Sequence, residues 1–300
     1  MWLRAALLSA LVLVTPACMC AWFGCEPNVD PGPEPALGDH TVSSADGTPI
    51  HYLRGGEGDV ALVFVHGWLG NADWWRPTLE RFRSQYTVVA LDLAGHGLSG
   101  RRRTDWSVER FADDVVAVAN ELGGKRLVLL GHSMSGAITV AAAARLGERV
   151  ALLVPVDTLQ DFEWDLPPEV WAQFFGGLHA DFPNAVENFF RGMLFAPSSP
   201  PDVVARVVSE ARAANPELAI PMLERARDFD LKSALRSVRA PFHAIESDRN
   251  PTKLDTNRRY VARFEAELLP GVGHWPMLED PRAFGDALAR VLASEGLAAR

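Results

Sequence analysis

The chain alternates short apolar runs with longer stretches of helical periodicity. Runs of buried-strand type occupy 60–65, 87–91, 126–130, 151–156, 242–246 and 265–269, as expected when a parallel sheet is covered on both faces. Ahead of them, 41–44 and 50–53 flank Ala45-Asp46-Gly47-Thr48, and Asp-Gly readily takes the positive φ of a tight turn, so this segment predicts an opening hairpin. Between the runs, 106–122 places Phe111, Val115, Val118 and Leu122 on one helical face, and 134–146 is alanine-rich. A third helix is predicted over 281–293, with Asp280 as its N-cap and Pro281 at its first position. Strand, helix, strand repetition predicts a doubly wound, mostly parallel α/β sheet.

One interval breaks this rhythm. The residues between 156 and 242 form a connection far longer than a usual crossover. They carry helical spacing of their own, first in Val170, Trp171, Phe174, Phe175 and Leu178, then in Val186, Phe189, Phe190, Met193 and Leu194. The prediction is a helical cap at about 158–238, inserted into one domain that spans 40–300. By spacing, Trp74, Trp75, Trp164, Trp171 and the cap phenylalanines are chiefly core, with some lining an apolar pocket under the cap.

Composition narrows the function. A chain of 300 residues, 48% hydrophobic and 22% charged, can bury a full core and is no disordered or fibrous sequence. Its formal net charge of −9 argues against nucleic acid, which needs a basic surface to release counterions. The three cysteines, Cys18, Cys20 and Cys25, all lie at the N-terminus. There Arg4 precedes an apolar stretch over 5–15, and no charge returns until Glu26, so residues 1–25 read as an export signal. A cleaved signal peptide leads, followed by an uncleaved membrane anchor and then a lipid anchor on Cys18 or Cys25. Each reading puts the protein outside the cytoplasm: periplasmic, secreted or held at a membrane. The proline-rich stretch 26–39 reads as a linker.

The chemistry concentrates at Gly131-His132-Ser133-Met134-Ser135-Gly136, which directly follows a predicted strand and opens the alanine-rich helix. A turn this sharp exposes a serine as nucleophile and needs small residues two before and two after it; Gly131 and Ser135 meet that need. The helix N-terminus beside Ser133 offers partial positive charge and free N–H groups to a developing oxyanion. His274 follows a strand and the loop Pro270-Gly-Val-Gly, where an imidazole can take a serine proton and return it to a leaving group.

With His66-Gly67-Trp68 after the first long strand, Asp92-Leu-Ala-Gly95-His-Gly97-Leu-Ser99 after the next, the elbow at Ser133 and Gly271-Val-Gly-His274-Trp-Pro near the end, the chain resembles the α/β-hydrolase family from about residue 42 to 292. The resemblance implies an oxyanion hole built from the Trp68 and Met134 amides. It assigns loop-orienting roles to His66 and His132. It also implies an acid three residues after a small residue at the end of the seventh strand. Counting from Ser247, that position holds Asn250. Two carboxylates stand in for it, Asp248 in the same loop and Asp157 at the end of the sixth strand, where some relatives place their acid. Spacing leans to Asp157.

Gly95-x-Gly97-x-x-Gly100 matches a dinucleotide fingerprint, but Arg101-Arg102-Arg103 follow it instead of a helix, so it reads as a family loop. The remaining histidines show no metal-type spacing. The sequence therefore predicts a serine hydrolase that cleaves a hydrophobic carboxylic ester and needs no metal or organic cofactor. Carbon–carbon bond hydrolysis or perhydrolysis would use the same residues, and a non-catalytic small-molecule receptor of the same fold is the rival that the missing acid at 250 keeps open.

Overall fold

The structure is a computed structural model that describes residues 36–299. The predicted export or anchor signal over 1–25, and the linker as far as residue 35, lie outside the described residues. Eight strands form one sheet: β1 Gly38–Ser43, β2 Pro49–Gly55, β3 Val60–Val65, β4 Thr87–Leu91, β5 Arg126–His132, β6 Val150–Val156, β7 Phe242–Ser247 and β8 Phe264–Leu269. Their order is β1-β2-β4-β3-β5-β6-β7-β8. β2 pairs antiparallel with both β1 and β4, and every later pairing is parallel. β1 begins inside the stretch that composition assigns to the linker, because Gly38 and Asp39 already pair with Arg54 and Leu53.

The central strands are buried along nearly their whole length, as their unbroken apolar character requires. Helices cover them. α1 Arg76–Phe82 packs with α11 Pro281–Ser294, and α2 Val108–Asn120 packs with α3 Ser135–Leu146. α2 buries Val108, Phe111, Ala112, Val115, Val118 and Ala119, one face of a 3.6-residue period. α11 starts as its sequence predicts: Pro281 opens it, and the Asp280 carboxylate accepts from the Ala283 N–H at 2.8 Å.

Between β6 and β7 lie α4 Pro168–Ala180, α5 Phe182–Phe189, a π-turn at Phe190–Leu194, α6 Pro201–Arg212, α7 Pro216–Arg227 and α8 Leu231–Leu235. Phe175, Leu178, Phe182, Val186 and Phe190 are buried there. Trp164, assigned by spacing to the core, is instead 62% exposed, and Met193 is 65% exposed. Trp164 stands in the loop before α4, where the ring of Trp171 packs against it edge-on. Short α9 Leu254–Asn257 and α10 Pro276–Glu279 complete the chain. Because β3 to β8 all run in one direction, the loops that follow them emerge at one edge, where doubly wound sheets carry their ligand sites.

Candidate active site

Ser133 follows β5 with φ 53°, a left-handed backbone that L-residues rarely adopt. The surroundings explain why its neighbours are small. A Cβ on Gly131 would lie 2.4 Å from the Ser135 carbonyl oxygen, and one on Gly136 would lie 2.6 Å from the Thr158 side chain. Ser135, which stands where the family usually has glycine, has a use for its hydroxyl: Oγ donates to the His66 carbonyl at 2.5 Å. The elbow is thereby tied to the loop that carries Trp68.

Gly67 makes the approach between those two segments possible. A Cβ there would sit 2.8 Å from both Ser133 Cβ and His132 Nδ1. The next amide in the chain, that of Trp68, is thus brought beside the serine turn. Among the described residues neither the Trp68 N–H nor the Met134 N–H has an acceptor. Two unsatisfied amides next to a partly exposed serine are what an oxyanion site consists of. The Trp68 ring does something else. It is buried, and its Nε1–H donates to the Ala219 carbonyl of α7 at 2.7 Å.

His66 and His132 orient loops. His66 donates from Nδ1 to the Gly67 carbonyl at 2.7 Å and accepts at Nε2 from the Leu93 N–H at 3.1 Å, and burial lowers its pKa. His132 donates from Nε2 to the carbonyl of His274 at 2.7 Å. Burial, with His274 beside it, holds its pKa down to about 3, so it is a neutral ring at physiological pH. Its ring centroid is 4.7 Å from that of His274. The residue before Ser133 therefore grips the backbone of His274.

His274 Nδ1 is 2.6 Å from Asp157 Oδ2. Asp157 directly follows β6 with φ 46°, and its other oxygen, Oδ1, accepts from the Ser247 N–H at 2.9 Å. Burial acts to raise its pKa, but the hydrogen bonds and charge of His274, together with Ser247, outweigh it and hold the carboxyl below the usual carboxylate range. Asp248, the other candidate, is exposed and accepts from the Gly271 N–H at 3.3 Å. Asn250 is exposed as well. The structure thus brings Ser133, Trp68, Met134, His274 and Asp157 to one edge of the sheet and leaves Asp248 on a neighbouring loop turn.

The glycine-rich 95–100 segment is a structural loop around Asp92. Asp92 accepts from the Ala72 and Leu98 N–H groups at 2.7 and 2.9 Å. A Cβ on Gly97 would collide with that carboxylate. A cavity of about 210 Å³ opens between this loop and the cap, lined among others by Leu69, His96, Arg101, Leu218 and Met222. It begins one residue beyond Trp68, and Ser133 and His274 are not in its wall.

Nothing in the pattern of the chain singles out Glu246. It is fully buried on β7, accepts at Oε2 from Gln160 Nε2 at 2.8 Å, and has no partner at Oε1 among the described residues. Burial, reinforced by the charge of Asp157, raises its pKa well above the ordinary 4.5. The folded chain therefore keeps a proton that the unfolded chain releases above that value, and stability falls as pH rises through the window from the unfolded toward the folded pKa. Glu246→Gln mimics the neutral acid and removes this loss. Denaturant melts should coincide with wild type below pH 4.5 and show the variant gaining about 1.4 kcal/mol for each pH unit within the window. A pH-independent gap would mean that Glu246 is ionised in the fold.

A profile of the alpha/beta hydrolase family matches residues 62–287. The dihydrolipoyllysine-residue acetyltransferase component of the acetoin cleaving system of Cupriavidus necator is 35% identical over 133 residues, which cover 43% of this chain and 36% of that one. This chain therefore spans about a third of that relative's length. The pimeloyl-[acyl-carrier protein] methyl ester esterase of Aliivibrio salmonicida is 30% identical over 202 residues, 65% of this chain and 75% of that one. Among solved structures, a bacterial membrane phospholipase A is 26% identical with a TM-score of 0.71 and covers 87% of each chain.

Proposed function

Because the chain belongs to the alpha/beta hydrolase family, we propose that it is a serine hydrolase cleaving carboxylic esters with an apolar acyl or alcohol group. Ser133 Oγ attacks the ester carbonyl while His274 takes its proton. The tetrahedral oxyanion rests on the Trp68 and Met134 amides, and the carbon–oxygen bond to the alcohol breaks as His274 protonates that oxygen. Water, deprotonated by His274, then attacks the acyl-enzyme. The acid leaves and the proton returns to Ser133. Asp157 holds Nδ1–H, which leaves Nε2 free to accept, and stabilises the imidazolium.

The observation that carries this reading is the 2.6 Å contact between His274 Nδ1 and Asp157 Oδ2, beside a serine held at φ 53°. The receptor alternative draws on Asn250 standing where the family acid belongs, and the carboxylate of Asp157 on His274 is what favours catalysis over it. Ester cleavage is supported by the relative that is a methyl ester esterase. An apolar substrate is supported by the partly exposed apolar side chains at the elbow, Met134 next to Ser133 and Leu159 against Gly136. Turnover of p-nitrophenyl esters tests both parts. The specificity constant should rise up to about fourfold for each methylene added to the acetate that the site buries, since each contributes about 0.8 kcal/mol. A flat series would refute the apolar site, and no Ser133-dependent release on any ester would refute the reaction.

A further inference from the structure

The loop that carries His274 is fastened from below by one carboxylate. Glu279, which closes α10 and is 8% exposed, accepts from the Gly273 N–H through Oε2 at 2.7 Å and from the Trp275 N–H through Oε1 at 3.1 Å. Its two oxygens therefore hold the amides on either side of His274. Oε2 also accepts from Ser199 Oγ, which belongs to the cap segment between the π-turn and α6. Ser199 Oγ in turn accepts from the Ala196 N–H at 2.8 Å.

The same cap segment reaches the histidine loop at three further points. His274 N–H donates to the Leu194 carbonyl at 2.9 Å, Ser198 Oγ donates to the Gly271 carbonyl at 2.6 Å, and Phe195 stacks on Trp275 with centroids 4.5 Å apart. Contact is close enough that a Cβ on Gly273 would lie 2.7 Å from both the Ala196 nitrogen and the Leu194 oxygen. Glu279 thus hydrogen-bonds both of His274's neighbours and the cap with a single side chain.

We propose that Glu279 is a positioning residue for His274 and that, through Ser199, it makes the alignment of His274 with Asp157 depend on the seating of cap segment 194–199. The inference rests on His274 being the base. A donor–acceptor distance near 2.6 Å leaves little slack, and misplacing a reacting group by about 1 Å costs about a hundredfold in rate. Glu279→Gln keeps size and shape but must turn an NH₂ toward either Gly273 or Trp275, where only acceptors fit.

The test uses full-length Glu279→Gln, Ser199→Ala and the double variant, each checked for an intact thermal transition. In Glu279→Gln kcat should fall about a hundredfold, with KM within about threefold. In Ser199→Ala, which removes only the cap's bond, kcat should fall about tenfold, and the double variant should be no slower than Glu279→Gln, as expected for groups acting in one chain of contacts. The second readout is the downfield proton resonance of the His274 Nδ1–H at low pH. It should be present in wild type, absent in Asp157→Asn, and broadened in Glu279→Gln. A sharp unshifted resonance with kcat within twofold of wild type in folded Glu279→Gln overturns the proposal. Should that variant fail to fold, unchanged kcat in Ser199→Ala overturns it instead. Absence of the resonance from wild type would count against the base assignment itself.

Discussion

Replacing Asp157 with asparagine should lower kcat about ten-thousandfold, whereas the same change at Asp248 should leave turnover within about twofold. The reason lies in what surrounds each carboxylate. Asp157 Oδ1 accepts from the Ser247 N–H and Oδ2 faces His274 Nδ1. An asparagine that keeps its oxygen on Ser247 turns its NH₂ to His274, so that Nδ1 must accept and the proton moves to Nε2. That imidazole cannot take a proton from Ser133. The opposite orientation sets an NH₂ against the Ser247 N–H and forfeits that bond, and in either case the charge that stabilises imidazolium is gone. Asp248 makes one long contact, to the Gly271 N–H at 3.3 Å, in an exposed position. Steady-state kinetics on one p-nitrophenyl ester separate the two: near-wild-type turnover in Asp157→Asn takes Asp157 out of the triad.

Ser133→Ala has the largest expected effect, a loss of about a millionfold in kcat, leaving only what the oxyanion amides and binding sustain. Alanine keeps the Cβ, so the left-handed turn is no more strained than before and the fold survives the change. The informative comparison is with the double variant Ser133→Ala/Asp157→Asn. In the proposed mechanism Asp157 acts on the substrate only by way of His274 and the serine proton, so once Ser133 is gone its removal should cost nothing further. Additive losses would mean that Asp157 has a second role in the reaction.

Much of this was legible in the sequence, because the signals were local. Buried parallel strands need unbroken apolar runs, and all six predicted runs became strands, with ends shifted by at most two residues. The elbow was legible because strand, small residues, serine and helix follow one another without a gap. The choice between Asp157 and Asp248 was harder. Both follow strands at the same edge of the sheet, and spacing along the chain does not fix which way a carboxylate turns. The deciding contacts, His274 to Asp157 and Gly271 to Asp248, join segments separate in the chain.

Other features were invisible for related reasons. Glu246 has a character set by burial next to Asp157, and its sequence neighbours carry no hint of that. Glu279 belongs to none of the motifs read from the sequence, although a carboxylate within Trp275-Pro-Met-Leu-Glu279, a run otherwise apolar and buried, is a signal that could have singled it out. Trp164 went the other way. Aromatic spacing marked it as core, but it sits in a loop where one ring supports it from one side.

The central claim is that Ser133 carries the acyl group. Rapid quenching of the enzyme with excess of a slowly deacylating p-nitrophenyl ester, followed by peptide mass spectrometry, tests it most directly. One acyl group per enzyme on the peptide containing Ser133, together with a matching burst of p-nitrophenol and neither in Ser133→Ala, is the result expected here. Ester turnover with no adduct, or an adduct on any other residue, would contradict it.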